Sequence, residues 1–494
     1  MPGVSRLSWP DYAVLFASLL LLLAIGGRFA RQRDTRDFFL ARRHIPWWAA
    51  ALSFLATEIS AVTIISVPAT AYSENWEYVQ FFVGSSVAKW AVAFLFIPAF
   101  YRHDVITIYE FLRHRFGEGS QVAASILFFV TRLAGSGVRL MAACLAVSVM
   151  LGWPLAPTIA VFSAISIAYM AAGGVRAIVW SNVFQAIMFL GAGGLTLAYL
   201  LAQIDGGLGA VLRVAGDAGR LNVINWGPPL GAPDFWTHIF GDPNIVWVAL
   251  LNGFVGSMAA FGTDQDLMQR LLTVETRGQS QRTLSITPLG TALTLAIYLG
   301  LGAALFTYYA QHPLLPVSRP DAILPHFVEQ VMPAVLRGLM LSAIVLASID
   351  SPLGALASSF VTDIYRPLVA PGRSENHYLF VSRASVALFG VALGALAYGF
   401  SFFDRILWLA FKIAGVTFGS LLGVFLLGVL TRRRIADGAN VMAMVTMALV
   451  NLVLLALIES GRLPLAWSWL VVIGTAGTML LAMLLSWRGR NSRG

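Results

Sequence analysis

Leu52–Tyr72 reads LSFLATEISAVTIISVPATAY. The run is apolar and long enough to lie within a membrane span, yet Thr57, Glu58, Ser60 and Thr63 fall at its centre and Pro68 near its end. A carboxylate at mid-membrane depth costs about 3 kcal/mol or more, so Glu58 must face protein or a watery cavity. Hydroxyl and β-branched residues followed by proline mark a place where a helix opens its hydrogen-bond ladder and frees backbone carbonyls. An opened helix at that depth is a device for binding ions and small solutes.

Outward from this stretch the chain has the composition of a membrane protein. Hydrophobic residues make up 58% of 494 and charged residues 12%, with mean hydropathy +0.76; no water-soluble fold hides that much apolar surface. The formal net charge of +9 does not point to nucleic acid, because the basic residues stand singly between apolar runs. Cys144 is the one cysteine, which excludes an internal disulfide and a thiolate metal cluster. No His/Cys cluster or Ser–His constellation converges on one depth, so no enzyme is expected.

Apolar windows of about 20 residues predict thirteen spans, near 12–29, 47–73, 78–101, 121–150, 155–173, 178–203, 244–272, 286–309, 334–361, 377–400, 405–430, 438–458 and 465–486. The first reads as a retained helix rather than a signal peptide. With the N-terminus outside, the inward loops and tail carry twenty-two arginines and the outward segments six. That bias predicts a multi-pass protein of the cell membrane with its C-terminus in the cytoplasm.

Polar groups inside the spans are the candidate working residues. Arg132 and Arg139 are seven apart and share a helix face; neither can shed its proton, so each needs an anionic or carbonyl partner. A structural pairing is expected for Arg132, and Arg139 is the candidate to hold a substrate. Gly173 and Gly174 permit a tight turn before Asn182 and Gln185. In the 244–272 span, Asn252, Gly253, Gly256, Ser257 and Gly262 are expected to break the helix in the opposite sense to Leu52–Tyr72, as an inverted repeat requires. The 334–361 span carries Ser342, Ser348, Asp350, Ser351, Ser358 and Ser359, hard oxygens suited to Na⁺, although Ser358 and Ser359 read more simply as small packing residues. Lys89 and Lys412 are expected to neutralise acidic neighbours such as Glu58 or Asp350.

These segments resemble the sodium:solute symporter family, which includes sodium–glucose, proline, sialic acid and monocarboxylate transporters. The matches are DFFLARR at Asp37–Arg43, LSFLATEISA, TIYEFLRHRFG at Thr107–Gly117, GGVRAIVWSNVFQ at Gly173–Gln185, DQDLMQR at Asp264–Arg270 and ASSFVTDIY at Ala357–Tyr365. The resemblance implies an all-α membrane protein with a LeuT-type core of two inverted five-helix repeats. Its segments would be 1–46 (first helix and basic linker), 47–203 (first repeat), 204–243 (outer loop), 244–430 (second repeat) and 431–494 (two last helices and tail).

It further implies Na⁺ as coupling ion, held by the carbonyls of Ala56, Ile59 and Ile344 and the hydroxyl of Ser348. Ala347 departs from the family's hydroxyl pair. A second Na⁺ site would involve Asn182, where some relatives have aspartate, with Asp350 and Ser351; the carboxylate is expected to have moved across the site. Substrate contacts carry over to Glu58, Ser60, Thr63, Phe82, Ser85, Ser257, Phe261 and Thr291, and Arg139 takes the place of an arginine that holds the carboxylate in sialic acid transporters. Ser257 and Thr291 in place of the sugar transporters' asparagine and lysine argue against a hexose. The expected function is Na⁺-coupled symport of a small carboxylated solute, with the lipid bilayer as surroundings and no obligatory protein partner. H⁺ coupling through Glu58 or Asp350, or a sensor built on the same fold, are the alternatives.

Overall fold

Apolar runs bounded by proline, glycine and polar caps become helices along the whole chain. The computed structural model describes residues 7–312, 320–349, 352–402, 406–433 and 435–491. In chain order the helices are α1 (Trp9–Arg28), α2 (Thr35–Leu40), α3 (Trp47–Glu58), α4 (Ala61–Ser73), α5 (Tyr78–Arg102), α6 (Ile108–Arg115), α7 (Glu118–Leu151), α8 (Leu155–Ala202), α9 (Gly207–Asp217), α10 (Phe235–Gly241), α11 (Val246–Thr263), α12 (Gln265–Leu271), α13 (Arg277–Gln311), α14 (Ile323–Gln330), α15 (Leu336–Ile349), α16 (Leu353–Ser359), α17 (Glu375–Phe400), α18 (Ile406–Leu430), α19 (Asp437–Glu459) and α20 (Trp469–Asn491). A π-helix, Phe360–Val369, continues α16. There is no strand among the described residues.

Nine of the described helices are long and apolar enough to cross a membrane, and ten spans result when the bent pair α3/α4 counts as one. Their outer faces expose large apolar side chains, among them Trp90, Phe94, Phe380 and Leu388. Such a surface suits lipid and not water.

Two chain breaks follow from the residues at them. Between α3 and α4, Ile59 and Ser60 are extended (φ −87°, ψ 129° and φ −123°, ψ 171°), and the two helices meet at a 58° bend. In α8 a straight rod of 48 residues would run about 72 Å, more than twice a bilayer core of about 30 Å. Gly174 leaves the helix instead, at φ +59°, ψ −155°, a conformation that L side chains avoid. A Cβ there would also press on the Phe38 carbonyl. The expected turn at Gly173–Gly174 is therefore present.

The expected break within 244–272 is not where the glycines stand. α11 is continuous through Asn252, Gly253, Gly256, Ser257 and Gly262, and the chain turns only at Asp264 (φ −98°, ψ 118°) into α12. Those glycines serve close approach. A Cβ on Gly253 would run into the Phe81 carbonyl, and one on Gly84 into the Leu250 carbonyl, so α5 and α11 touch backbone to backbone in both directions. Of the expected 334–361 span, the described residues form α15 and α16, with Pro352 at the start of the second. The segment 204–243 holds the short helices α9 and α10, with Trp226 and Trp236 exposed.

The α5–α11 contact makes a stability prediction. Gly84→Val overfills it, and we expect a loss of roughly 1–3 kcal/mol, read as a lower unfolding temperature of the purified protein in detergent. Gly191→Ala, in α8 with nothing within 4 Å of the new Cβ, is expected to leave that temperature unchanged or slightly raised.

Candidate functional site

The break after Glu58 is stabilised by its own side chains. Ser60 and Thr63 form a reciprocal capping box, in which the Ser60 N–H donates to Thr63 Oγ1 at 3.4 Å and the Thr63 amide turns to the Ser60 side chain. In an unbroken helix these two amides would donate to the carbonyls four residues earlier, which are Ala56 and Ile59. The capping box thus releases the two carbonyls expected to bind Na⁺. Ser60 and Thr63, expected as substrate contacts, are engaged first with each other.

A cavity of about 30 Å³ opens beside the break, lined by Thr57, Ile59 and Ser60, by Arg132, Ser136 and Arg139 of α7, by Ser163 and Ser166 of α8, and by Ala347 of α15. That volume has room for about two waters and none for an organic solute. Arg139 therefore lines the same space as the opened backbone. Ile344, the third expected carbonyl donor, is buried one turn before Ala347. Asp350, Ser351 and the side chain of Ser348 lie outside the described residues.

On the other side of the break sits an ion pair. Lys89 Nζ on α5 donates to Glu58 Oε2 at 2.7 Å and to Thr291 Oγ1 of α13 at 2.8 Å, and Thr291 Oγ1 lies 3.1 Å from the same carboxylate oxygen. The ammonium also lies 5.2 Å from the Phe261 ring centroid, and Phe261 packs on Phe54. Lys89 is 1% exposed and the Glu58 side chain 10%. Three expected substrate residues, Glu58, Phe261 and Thr291, are brought together here, around a lysine to which the sequence assigned only the neutralising role. Ser85 and Ser257 are buried nearby in chain position on α5 and α11, and Phe82 packs edge-on against Tyr78 and Phe81.

Arg132 takes the structural role expected of it. Its guanidinium binds Asp264 at 3.2 Å and also Asp266, which in turn holds Arg270 one helical turn on. Both aspartates and Arg270 are buried, and together they tie α7 to α12. Gln265 ties α12 to the start of α6, accepting from the Ile108 amide at 2.9 Å and donating to the Ile106 carbonyl at 3.2 Å. Sequence reasoning missed Asp264 and Asp266 as partners, although both stand in the quoted DQDLMQR segment. Ser359 also does more than pack, since its hydroxyl donates to Asp363, which Thr107, Gln121 and Ser125 bind as well.

Asn182 donates its amide to Thr57 Oγ1 at 3.0 Å and Ser53 Oγ at 3.3 Å, while its buried Oδ1 has no hydrogen-bond partner among the described residues. A buried acceptor of that kind is costly unless something positive meets it. Lys412 neutralises an acidic neighbour as expected, and that neighbour is Glu459 of α19, at 2.6 Å.

The Arg132 network carries a prediction. Removing one partner of a buried pair leaves the other charge uncompensated, at a cost of about 3–5 kcal/mol. Arg132→Gln is expected to lose that much, seen as a sharp fall in unfolding temperature and in the yield of monodisperse protein on size exclusion.

Comparison with known proteins agrees with this architecture. The family model described as sodium:solute symporter family matches residues 38–450. A sodium/sialic acid symporter of Proteus mirabilis is 28% identical over 443 residues, which cover 87% of this chain and 86% of that protein. The human sodium-coupled monocarboxylate transporter 1 is 28% identical over 443 residues, covering 85% of this chain and 69% of the relative. A solved structure of a Na⁺-coupled sialic acid symporter, substrate-bound and outward-open, superposes with a TM-score of 0.85 at 24% identity, over 97% of this chain and 98% of that one. The chain belongs to the sodium:solute symporter family.

Proposed function

We propose that the protein carries a small carboxylated organic solute into the cell together with Na⁺, by alternating access. The observation that carries this reading is the helix break at Glu58–Ser60, where a capping box frees the Ala56 and Ile59 carbonyls beside a cavity that Arg139 lines. Hard carbonyl oxygens suit Na⁺, and a guanidinium presents planar, paired donors to a carboxylate. In this reading Ile344 and Ser348 complete the Na⁺ shell, and Asn182, Asp350 and Ser351 form a second site. The partnerless Oδ1 of Asn182 supports that second site. The sialic acid and monocarboxylate relatives share the carboxylate as the common feature of their named solutes.

The finer architecture belongs to the same proposal. Counting α8 as two passes divided at Gly174, the pair α3/α4 as one, and the shorter apolar helices of α15 and α18 as one each gives thirteen spans. They divide into inverted repeats over 47–203 and 244–430, with the N-terminus outside and the arginine-rich side in the cytoplasm. The 30 Å³ cavity requires walls that move before a solute can enter.

Uptake into proteoliposomes, with Na⁺ and H⁺ gradients imposed separately and a panel of labelled carboxylates, tests the reading. Accumulation driven by Na⁺ alone is the expected result, and accumulation driven only by H⁺ would move the coupling to a carboxylate, as the missing hydroxyl at Ala347 allows. Arg139 decides the solute class. Truncating one partner of a buried charged pair costs on the order of 2–5 kcal/mol, so Arg139→Gln is expected to weaken the solute by roughly thirtyfold to several thousandfold. Arg139→Lys keeps the charge without the fork and should fall between the two. Parental affinity in Arg139→Gln, measured by uptake kinetics, would remove the assignment.

A further inference from the structure

The linker between α1 and α3 bends in a way that side chains resist. Ala41, Arg42 and Arg43 follow one another at φ +50°, +51° and +59°, and Asp104, just after α5, stands at φ +48°. Four of the five non-glycine residues with positive φ among the described residues are therefore these. Left-handed backbone is unfavourable for L residues, and such strain gathers where a structure is shaped to bind or to switch. In an extended chain neighbouring side chains point to opposite sides. Here the turn sends both Arg42 and Arg43 into one open basin of about 380 Å³, which Asp34, Arg36, Leu40 and Asp104 complete.

The charges of the basin do not balance. Asp104 alone serves two guanidinium groups, those of Arg36 and of Arg43 at 3.0 Å, and Asp34 serves Arg42. Three arginines meet two carboxylates, so one positive charge is left over. Arg43 is fixed, stacked 4.7 Å from the Tyr101 ring centroid and donating to the Val105 carbonyl at 3.3 Å. The side chains of Arg36 and Arg42 are 51% and 40% exposed. Exposed pairs of this kind are worth little, so an incoming anion can take over their donors. A monoanion with several oxygens matches both the surplus charge and the forked donors.

Depth identifies where that anion comes from. Trp47 and Trp48 begin α3 shortly after Arg43; Trp48 is exposed, and Arg282 stacks on Trp47 at 4.0 Å. Tryptophans at the end of a span sit at headgroup level. Six arginines from Arg28 to Arg43 directly follow α1, and basic residues at that density beside a span attract anionic lipid. We infer that the basin binds the phosphodiester of an anionic phospholipid, with Arg43 as the fixed donor and Arg36 and Arg42 as the movable ones. The site is separate from the Arg139 cavity, and its occupancy does not depend on which solute is carried.

Native mass spectrometry of the detergent-purified full-length protein, titrated with single lipids, tests this. Phosphatidylglycerol presents the phosphodiester with one net negative charge; phosphatidylcholine presents the same group beside an ammonium. The first is expected to bind at least about tenfold more tightly. Arg36→Gln/Arg42→Gln should weaken phosphatidylglycerol by roughly thirtyfold. Arg432→Gln/Arg433→Gln, which removes two exposed arginines outside the basin, should change it by less than about twofold. Asp104→Asn frees Arg36 and Arg43 from their competitor and should tighten phosphatidylglycerol severalfold, which decides the matter if the first double variant does not fold. Equal binding of the two lipids, equal losses in the two arginine pairs, or no tightening in Asp104→Asn overturns the inference. Displacement of phosphatidylglycerol by equimolar inorganic phosphate overturns it too, since the basin would then be a site for soluble anions.

Discussion

A helix that stops in the middle of a membrane must find partners for the backbone groups it exposes, and the way the α3–α4 break does so governs the site. Lipid offers no partner for them, and each unsatisfied group costs several kcal/mol in hydrocarbon. Ser60 and Thr63 resolve half of the problem by taking each other's amide hydrogens. The other half is the carbonyls of Ala56 and Ile59, which lose those two amides as helix partners. The capping box is therefore both a structural repair for the two donors and the release of two carbonyls from the helix ladder.

The charged groups within the apolar interior obey the same constraint. Lys89 is met by Glu58, Arg132 by Asp264 and Asp266, and Arg337 by Asp11 at 2.6 Å. Each pair joins segments far apart in the chain: α5 to α3, α7 to α12, and α15 to α1. In a medium with no hydrophobic drive between helices, such ties specify which helices become neighbours. The glycine contacts of α5 and α11 supply the complementary device, dispersion between backbones brought close.

Several features were legible because a local rule forces them. The break at Glu58–Ser60 could be read from a carboxylate and hydroxyls in an apolar run, and the Gly174 turn from paired glycines between two span-length segments. The basic, amphipathic Thr107–Gly117 segment also became a helix, α6. The break expected within 244–272 could not be placed, because glycine in a membrane helix serves close packing as readily as it serves a bend, and only the neighbour decides. Phe81 and Leu250 make it packing. Pairings were the least legible. Lys89 and Thr291 stand 202 residues apart, and nothing in either local sequence names the other. The same holds for Lys412, whose partner Glu459 lies on the next helix.

The position of the Arg132 network gives these pairings a consequence for access. Arg132 lines the cavity and holds Asp264 and Asp266 directly, so one boundary of the site is a layer of charge. An apolar seal that parts in contact with water loses its burial energy outright, at about 25 cal/mol per Å² exposed. An ion-pair seal behaves differently, because the charges it releases are hydrated as they separate and recover much of the desolvation penalty paid when they were buried. Charge at that boundary therefore lowers the difference in free energy between the closed and the wetted arrangement, while each intact pair remains costly to break when dry.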